Sequence, residues 1–499
     1  MSRLLFLIVA FLMGVIAWAQ GPAPRYGGEL VVAIAADPPG WDPSASTSQE
    51  IARVVYHNVF EGLVRFDESG EIVPALAESW RWSDDRLALT FRLRQGVRFH
   101  DGSLLTLEDV VAKFERARDP DSGHTNSAYY QVIDTIRTDA AANEVTFELS
   151  RPSRSLLYDL ARPDSIVYPA GSSAGQRRAP IGTGPFRFAS YREGSEVRLE
   201  RFEDYYLPGV PYLDAATFRI LGDPNTRFAA LLAGDVDLIG TSLTPEQFLQ
   251  LRDRPGFVAT EGTATTEITL AMNHERPPFD DVRVRLAVQH AIDKRAIVDG
   301  AMFGLGTVIG THMSPSESYY LDLTDLHPHD PELARELLRD AGFGEGGPRV
   351  VFELPAPYAI ERRTGQVVAQ QLESVGFEVE VQVVEWATWL RRIFRDGDYQ
   401  LTIIGHSEPR DIAIFGDPTY YFGYDQPAVR ALLAEAEAAP DAETERDAYH
   451  RVARRIAEDA AAAWLFSPPY LVAARDDVDG FWTDQPTPAI DVTGVHLDR

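Results

Sequence analysis

The sequence predicts a mixed α/β protein in which sheets carry helices on their faces. Short β-rich runs alternate along the chain with segments of helical apolar spacing, and the composition, 45% hydrophobic and 24% charged, is that of a folded globular protein. The 499 residues exceed what one hydrophobic core holds, so two or three domains are expected. No cysteine is present, and stability must therefore come from the cores alone.

Strands are predicted where apolar and β-branched residues form short runs bounded by turn residues. The predicted strands are Glu29–Ile34, Ala88–Leu93, Val97–His100, Val145–Leu149, Thr217–Leu221, Ile268–Met272, Arg349–Leu354, Glu378–Val384 and Gln400–Ile404. Between the second and third of these, Arg94-Gln95-Gly96 favours a tight reversal.

Helices are predicted from apolar residues at helical spacing and from capping residues. Ile51–Leu63 and Val282–Ile292 have the spacing, and Asn225–Leu232 is expected to end at Gly234. Further helices are expected after two capping residues, Thr106 and Asp330, the second followed by Pro331 and running to Ala341-Gly342.

One glycine-rich stretch, Ile181–Phe186, resembles a phosphate loop but lacks what such a loop needs. Pro185 has no N–H to offer an anion, and the chain's two lysines, Lys113 and Lys294, are far away in sequence. Phe186 then opens an apolar/polar alternation typical of a strand. We therefore interpret the stretch as a turn whose glycines permit the bend.

The first nineteen residues are typical of a cleavable signal peptide. Arg3 precedes the apolar run Leu4–Ile16, which is too short to span a bilayer, and Ala17-Trp18-Ala19 has the small-x-small pattern of a cleavage site. Because the leader has no cysteine, no lipid anchor is expected there. The sequence thus predicts a soluble exported protein, most naturally periplasmic in a bacterium.

The net charge of −28 excludes some partners. Nucleic-acid binding depends on clustered Lys and Arg, and an anionic membrane surface would repel so acidic a chain. The acidity favours solubility and cationic solutes, and an acid-rich proteome or a salty habitat explains it equally well.

Eight short motifs follow one another in order across the chain. They are Ile72–Trp80, Phe91–Gly102, Leu105–Val110, Gly182–Phe186, Arg201–Tyr206, Ala230–Leu238, Met272–Ala287 and Asp330–Gly342. In these motifs the chain resembles the peptide/nickel family of extracytoplasmic solute-binding proteins, the oligopeptide- and dipeptide-binding components of ABC importers. Phe202 and Tyr206 stand where that family usually has Asn and Trp, a modest departure in a packing motif.

The resemblance implies a type II periplasmic-binding-protein-like fold of two lobes with an inserted subdomain. Lobe I would comprise residues 20–265 and 475–499, with the insertion at about 44–180, and lobe II residues 266–474. The chain would cross between the lobes at Met272-Asn273 and at residues 471–474. The ligand would be enclosed between the lobes as they close.

The resemblance also implies a function, which is to capture a peptide-like solute and deliver it to an inner-membrane ABC permease with ATPase subunits. No cofactor, resident metal or catalytic residue is expected, and the protein would act as a monomer. In the family, an Asp on a loop after a lobe II strand binds the ligand's amino end. Here that loop is 405–417.

Five residues are the predicted ligand contacts. Asp411 is the first choice for the amino group, with Glu408 second and Asp417 third, and the same loop charges could instead pair with Arg410 in solvent. His406 stands where the family usually has Trp. Trp386 matches a pocket-lining family position, and Tyr421 could form a wall, although both could equally be core residues.

No arginine precedes the loop on its strand, so a fixed clamp for a peptide carboxylate is not evident. This leaves longer peptides, opines, glycosides and nickel complexes open as ligands. His327-Pro328-His329-Asp330 and isolated histidines such as His312 offer only weak metal signals, because Asp330 is better explained as a helix cap. A chaperone or sensory role for the same cleft also stays open.

An enzyme is the distant alternative. Gly171–Gly175 fits the G-x-S-x-G elbow of a secreted serine hydrolase, with Ser173 as nucleophile. Such an elbow needs a helix directly after it, and Pro180 follows too soon. A chance match is therefore the simpler interpretation.

Overall fold

The computed structural model describes residues 24–46, 48–344, 346–407 and 410–499. The predicted signal peptide, residues 1–19, lies outside them. Within the described residues, strands and helices alternate along the chain, and the predicted α/β class is confirmed. No helix in this part of the chain is long and apolar enough to cross a membrane.

The strands are numbered in chain order. They are β1 (Glu29–Ile34), β2 (Val64–Phe66), β3 (Ile72–Pro74), β4 (Ala77–Trp82), β5 (Ala88–Leu93), β6 (Ile133–Asp139), β7 (Glu144–Leu149), β8 (Phe186–Arg192), β9 (Glu196–Arg201), β10 (Ala215–Ile220), β11 (Leu238–Ile239), β12 (Phe257–Gly262), β13 (Glu267–Met272), β14 (Thr307–Val308), β15 (Arg349–Pro355), β16 (Glu378–Val384), β17 (Leu401–His406), β18 (Ala463–Ser467), β19 (Tyr470–Arg475), β20 (Val478–Asp479) and β21 (His496–Leu497).

The helices are numbered in the same way. They are α1 (Gln49–Val55), α2 (Leu107–Arg118), α3 (Ser127–Tyr130), α4 (Ser155–Asp159), α5 (Ser173–Gln176), α6 (Pro224–Ala233), α7 (Pro245–Leu251), α8 (Val282–Ala291), α9 (Lys294–Met302), α10 (Pro331–Asp340), α11 (Ala359–Ser374), α12 (Trp386–Thr388), α13 (Pro427–Glu437) and α14 (Ala442–Glu458). A π-helical turn, Trp389–Arg395, and three 3-10 turns, Pro43–Ala45, Pro163–Ser165 and Asp411–Gly416, complete the helical segments.

The first lobe, as we use the term, contains two sheets. A seven-stranded sheet has the order β12-β19-β11-β1-β10-β9-β8, and β1, at its centre, is buried from Leu30 to Ile34 except for Val31. A four-stranded antiparallel sheet, β4-β5-β7-β6, has its own core, in which Phe91, Phe114 and Phe147 pack together. This second sheet lies within the segment predicted to be an insertion.

The second lobe contains one six-stranded sheet of order β14-β18-β13-β17-β15-β16. β13 is buried along its whole length because α8 and α9 lie on one side of the sheet and an aromatic-rich core on the other. A strand covered on both faces has no polar alternation, and the apolar run Ile268–Met272 shows this pattern.

The sheet memberships place the two crossings between lobes at residues 263–266 and at Pro468-Pro469. Met272 pairs with Leu401 inside the second sheet, so Met272-Asn273 is not the first crossing. Residues 471–474 pair with β12 in the first sheet and belong with the first lobe rather than the second. The sequence placed both crossings a few residues too late, because strand pairing decides which sheet a run joins.

Two predicted elements were wrong. Val97–His100 is not a strand and makes only an isolated bridge at Arg98. Both edges of β5 are already occupied, by β4 and β7, so no edge remains for a hairpin partner. The buried side chains of Val97 and Phe99 produced the misleading alternation.

The helix predicted over Ile51–Leu63 ends at Val55. His57 has a φ of 68°, which a right-handed helix does not allow, and the Asn58 side-chain amide donates to the carbonyls of Val54 and Ile490. The apolar residues beyond it line a buried loop.

By contrast, β1, β5 and β16 have the predicted bounds, and Thr106 and Asp330 cap α2 and α10.

The Ile181–Phe186 turn leads into β8 as predicted, but its glycines have a different role. A Cβ on Gly182 would lie 2.0 Å from the Val59 carbonyl oxygen, and one on Gly184 would lie 2.5 Å from that of Asn58. Neither glycine has a positive φ. The glycines therefore allow two backbone segments to touch rather than permitting an unusual bend.

Candidate ligand-binding cleft

A cavity of about 780 Å³ lies between the two lobes where the chain crosses. Its wall includes Arg53 and Tyr158 from the first lobe, Glu361 and Asp411 from the second, and Pro469 at a crossing. The volume is that of a small-molecule site. Because both lobes contribute to the wall, a solute bound there would favour the conformation in which the lobes meet.

Asp411 reaches this wall because of where β17 ends. The strand lies inside the six-stranded sheet, between β13 and β15, and His406 is its last residue. Asp411 then opens a 3-10 turn in which Ile412 and Phe415 are buried in the second-lobe core. The apolar side of the turn is anchored there, and Asp411 is left at the cavity.

Two histidines hold the Asp411 carboxylate from behind. Oδ2 lies 2.6 Å from Nδ1 of His406 and 3.2 Å from Nε2 of His312. Burial alone would raise the pKa of Asp411, but these hydrogen bonds outweigh it and hold the pKa below its usual range. Asp411 is thus an ionised carboxylate at neutral pH, and Oδ1 has no hydrogen-bond partner among the described residues.

The proton positions on the two rings follow from their other neighbours. Trp464 donates Nε1–H to Nδ1 of His312 over 2.8 Å, so the proton of that neutral ring lies on Nε2 and is donated to Asp411. Burial lowers the pKa of His312 and keeps it neutral. Nδ1 of His406 donates to the same carboxylate, and the Tyr421 hydroxyl lies 3.2 Å from its Nε2.

The same three residues, His312, His406 and Asp411, have the donor set of a metal site. Their ligand atoms lie within 4.8 Å of one another. A cation would need the lone pair of His312 Nε2, yet the Trp464 N–H requires that nitrogen to carry the proton. The donor set therefore fits the cation poorly, and the hydrogen bonds explain the cluster without one.

Beside Asp411, Arg410 connects the two lobes. Its Nη1 donates to Oε1 of Glu445 over 2.8 Å, while Arg154 of the first lobe donates Nε–H to Oε2 of the same carboxylate over 2.7 Å. The Arg410 guanidinium also lies 4.4 Å from the ring of Tyr158, a first-lobe residue. Glu445 is thus shared between arginines of opposite lobes.

The first-lobe wall carries several arginines. Arg53, Arg151 and Arg162 all line the cavity, and the Arg162 guanidinium lies 4.8 Å from the ring of Tyr129. Asp159 lies on the same wall, where burial raises its pKa to about 7 against the opposing effect of Arg162. At neutral pH its carboxyl is therefore only partly ionised.

Of the four predicted contacts that the structure describes, only Asp411 lines the cavity. His406 and Tyr421 lie behind it, and Trp386 stacks on Trp389 with ring centroids 5.0 Å apart. For these three, the structure shows supporting or packing contacts instead of a place in the wall. Glu408 lies outside the described residues, and Asp417 caps its own turn by accepting from the backbone of Thr419.

Sequence reasoning missed Arg53, Glu361 and the role of His312. Nothing in the local pattern marks Arg53 as a cleft residue, because α1 is short and its neighbours are core. His312 was visible only as an isolated histidine, since its partners Asp411 and Trp464 are 99 and 152 positions away. Contacts over such separations leave no local signal.

The hydrolase motif does not form an elbow. Ser173 begins α5, a single turn, and the segment between β7 and Ser173 contains helical turns but no strand. In the described part of the chain the Ser173 hydroxyl has no hydrogen bond to a histidine or an acid, and the hydroxyl that is hydrogen-bonded at this turn is that of Ser172. Ser173 lacks the activated geometry of a nucleophile.

Comparison with known proteins agrees with this architecture. Residues 71–424 match the profile of the bacterial extracellular solute-binding proteins, family 5 (middle region). Di/tripeptide-binding protein 4 of Pseudomonas aeruginosa (strain UCBPP-PA14) is 31% identical over 480 residues, which cover 89% of this chain and 87% of that protein. The chain belongs to the family 5 extracellular solute-binding proteins.

Two solved structures of periplasmic binding proteins superpose on almost the whole chain. The ABC-transporter-associated periplasmic binding protein DppA of Helicobacter pylori, in complex with the peptide STSA, has a TM-score of 0.81 at 25% identity, covering 95% of this chain and 99% of that one. AgaA from A. tumefaciens R10, in complex with agropinic acid, has a TM-score of 0.80 at 27% identity, with the same coverages.

The family resemblance seen in the eight motifs and the type II binding-protein fold are thus both confirmed. A family 5 protein is the solute-binding component of an ABC import system. The relatives found are binding proteins rather than enzymes.

Proposed function

We propose that this family 5 protein captures a peptide-like solute with a free amino group in the cleft and delivers it to its ABC permease. One observation carries the proposal: an ionised carboxylate, Asp411, is held by two histidines on the wall of the cavity of about 780 Å³ between the lobes. A carboxylate fixed in this way favours an ammonium group over a neutral one. The relatives named for di- and tripeptides and the STSA complex of DppA support a peptide.

The protein would act outside the cytoplasm as a monomer, with residues 1–19 removed on export. It would have no chemistry of its own, because transport energy comes from ATP hydrolysis in the partner subunits. An opine is the second candidate, since AgaA was solved with agropinic acid and an opine also carries an amino nitrogen. A glycoside or a nickel complex has no such support from the cleft.

Native mass spectrometry of the protein purified from a periplasm tests the ligand class directly. A co-purifying mass that matches a short peptide supports the proposal, and one that matches a sugar or a metal chelate contradicts it. The role of Asp411 is tested by calorimetry with that ligand. Asp411→Ala is expected to weaken binding at least tenfold without unfolding the protein.

Asp417→Ala is the matched control, because Asp417 is an exposed acid six positions away that caps its own turn. Its variant is expected to bind as the wild type does. Unchanged affinity in Asp411→Ala would remove Asp411 from the site.

A further inference from the structure

Arg53 in α1 is a cleft-wall side chain whose hydrogen bonds are incomplete. Its Nε donates to Oε1 of Glu50 over 3.1 Å, and Nη2 lies 3.5 Å from Oε1 of Gln49. Nη1 is buried and has no acceptor among the described residues. Nη1 is closed to water and therefore also to a ligand. Nη2 has only a long bond to Gln49 on the exposed side, and it is the nitrogen that a ligand acceptor in the cleft can reach.

The position of Arg53 is set by the rest of α1. Ile51, Ala52, Val54 and Val55 are buried in the first-lobe core, and the backbone N–H of Ile490 donates to the Arg53 carbonyl over 3.1 Å. The side chain is only 15% exposed. Its planar fork is therefore held in place before any ligand arrives, as recognition of a planar carboxylate requires.

Both walls carry charges of both signs. The first-lobe side is lined by Arg53, Arg151 and Arg162 together with Asp159 and Asp164, and the second-lobe side by Glu361, Asp411 and Glu437 together with Arg410. In a protein whose net charge is −28, a wall with three arginines is a local exception. A solute that spans the cleft from Arg53 to Asp411 would meet a cation at one end and an anion at the other.

We infer that Arg53 binds a carboxylate of the solute, so that the ligand is dipolar, with its amino group at Asp411 and its carboxylate at Arg53. This inference rests on the proposed function and deepens it. No arginine on β17 of the second lobe is available to bind the carboxylate of the solute. Arg53 of the first lobe would bind it instead. The ligand class is a short zwitterionic peptide, and Arg53 is a residue that determines this specificity.

The test uses pairs of probes that differ only in one carboxylate. Trialanine is compared with trialanine amide, and Ala-Glu-Ala amide with Ala-Gln-Ala amide, by calorimetry on the wild type and on Arg53→Gln. The wild type is expected to prefer the acidic member of at least one pair tenfold or more. Arg53→Gln is expected to abolish that preference while changing the affinity for the neutral member less than twofold.

Arg92→Gln is the matched control, because Arg92 pairs with Glu78 on the surface, away from the cavity. Arg53→Lys keeps the charge without the planar fork and should retain about a third of the preference. Thermal unfolding of each variant shows that it is folded. If the preference for the acidic member persists in Arg53→Gln, or is absent from the wild type, the inference is wrong.

A failure of the proposed function gives a different result. If no peptide binds the wild type, the peptide proposal falls, and an N-carboxyalkyl amino acid is then compared with its methyl ester on the same proteins. Binding of the free acid that depends on Arg53 would keep the inference while replacing the peptide with an opine-like solute. If neither class binds at millimolar concentration, both are overturned.

Discussion

On the second lobe, Asp411 has its Oδ2 held by two histidines, which are themselves held by Trp464 and Tyr421. On the first lobe, Arg53 is held by two neighbours on its own helix and still has one buried N–H without an acceptor. Both groups are fixed, and in the described residues each keeps one atom without a protein partner, Oδ1 of Asp411 and Nη1 of Arg53. The difference lies in how they are fixed: His312 holds Asp411 from 99 positions away in the chain, whereas Arg53 is held by residues of its own helix.

The largest expected effect comes from removing both groups at once. Each single variant, Asp411→Ala and Arg53→Gln, is expected to weaken binding of a zwitterionic peptide about tenfold, and together about 100-fold, or about 2.7 kcal/mol. The effects should add because the two groups lie on different lobes and share no partner. Calorimetry on the four proteins measures the coupling energy, and a value well above about 0.5 kcal/mol would show that the two walls do not act independently.

The next prediction concerns His100 of the first lobe, which affects the stability of the fold and not ligand binding. Nε2 of His100 lies 2.9 Å from the Gly184 carbonyl, and burial lowers the pKa of His100 to about 4. The unfolded chain binds a proton below pH 6.5, whereas the folded protein does not until about pH 4. Stability is therefore lost as the pH falls through this window, by up to about 2 kcal/mol at pH 5.

Urea unfolding of wild type and His100→Gln at pH 7.5 and pH 5 measures this contribution. The loss of stability between the two pH values should be smaller in the variant. His329→Gln, at an exposed position, should leave the loss unchanged. An equal loss in all three proteins would mean that His100 does not contribute to the acid sensitivity of the first lobe.

Glu445 tests whether contacts between the lobes keep the two walls facing each other. Glu445→Gln removes the charge shared by Arg154 and Arg410, and the open form should gain population. We expect about tenfold weaker binding, about 1.4 kcal/mol, with most of the change in the dissociation rate. Stopped-flow kinetics and small-angle scattering measure both effects, and Glu443→Gln, exposed on the same helix, is the control.

The smallest expected effect tests the preorganisation of Asp411. His406→Ala removes the shorter of its two hydrogen bonds, so the pKa of Asp411 should rise and the carboxylate should be less well fixed. We expect about threefold weaker binding at pH 7.5, about 0.7 kcal/mol, and a larger loss at pH 5 as Asp411 begins to take up a proton.

In the wild type, Asp411 should stay ionised between pH 7.5 and pH 5, because the pKa of its carboxyl lies below its usual range. Its protonation should therefore change binding little over this interval. His406→Asn, which keeps a side-chain N–H donor, should restore part of the affinity. A loss in His406→Ala that is the same at both pH values would indicate a packing role alone.

Local sequence predicted the elements whose causes are local. The bounds of β1, β5 and β16 and the caps of α2 and α10 follow from patterns within a few residues. Val97–His100 failed because strand formation requires a free sheet edge, and β5 had none. The roles of Gly182 and Gly184 were missed because the backbone they touch is more than 120 positions away in the chain.

The candidate site shows the same limit. Asp411 was predicted from a family loop and lies on the cavity wall, but His406 and Tyr421 act behind it and Trp386 packs on Trp389. Arg53 could not be predicted as a cleft residue, because its orientation depends on which face of α1 the core covers.

By itself, the sequence determined the α/β class and the family through eight ordered motifs, and it put Asp411 first among three candidate acids of one loop. Only the tertiary structure decided where the chain crosses between sheets, which residues hold Asp411, and that Arg53 lines the cavity. The physical reason is distance along the chain. Propensity and capping act over one or two turns, whereas strand pairing and the cleft wall join residues hundreds of positions apart.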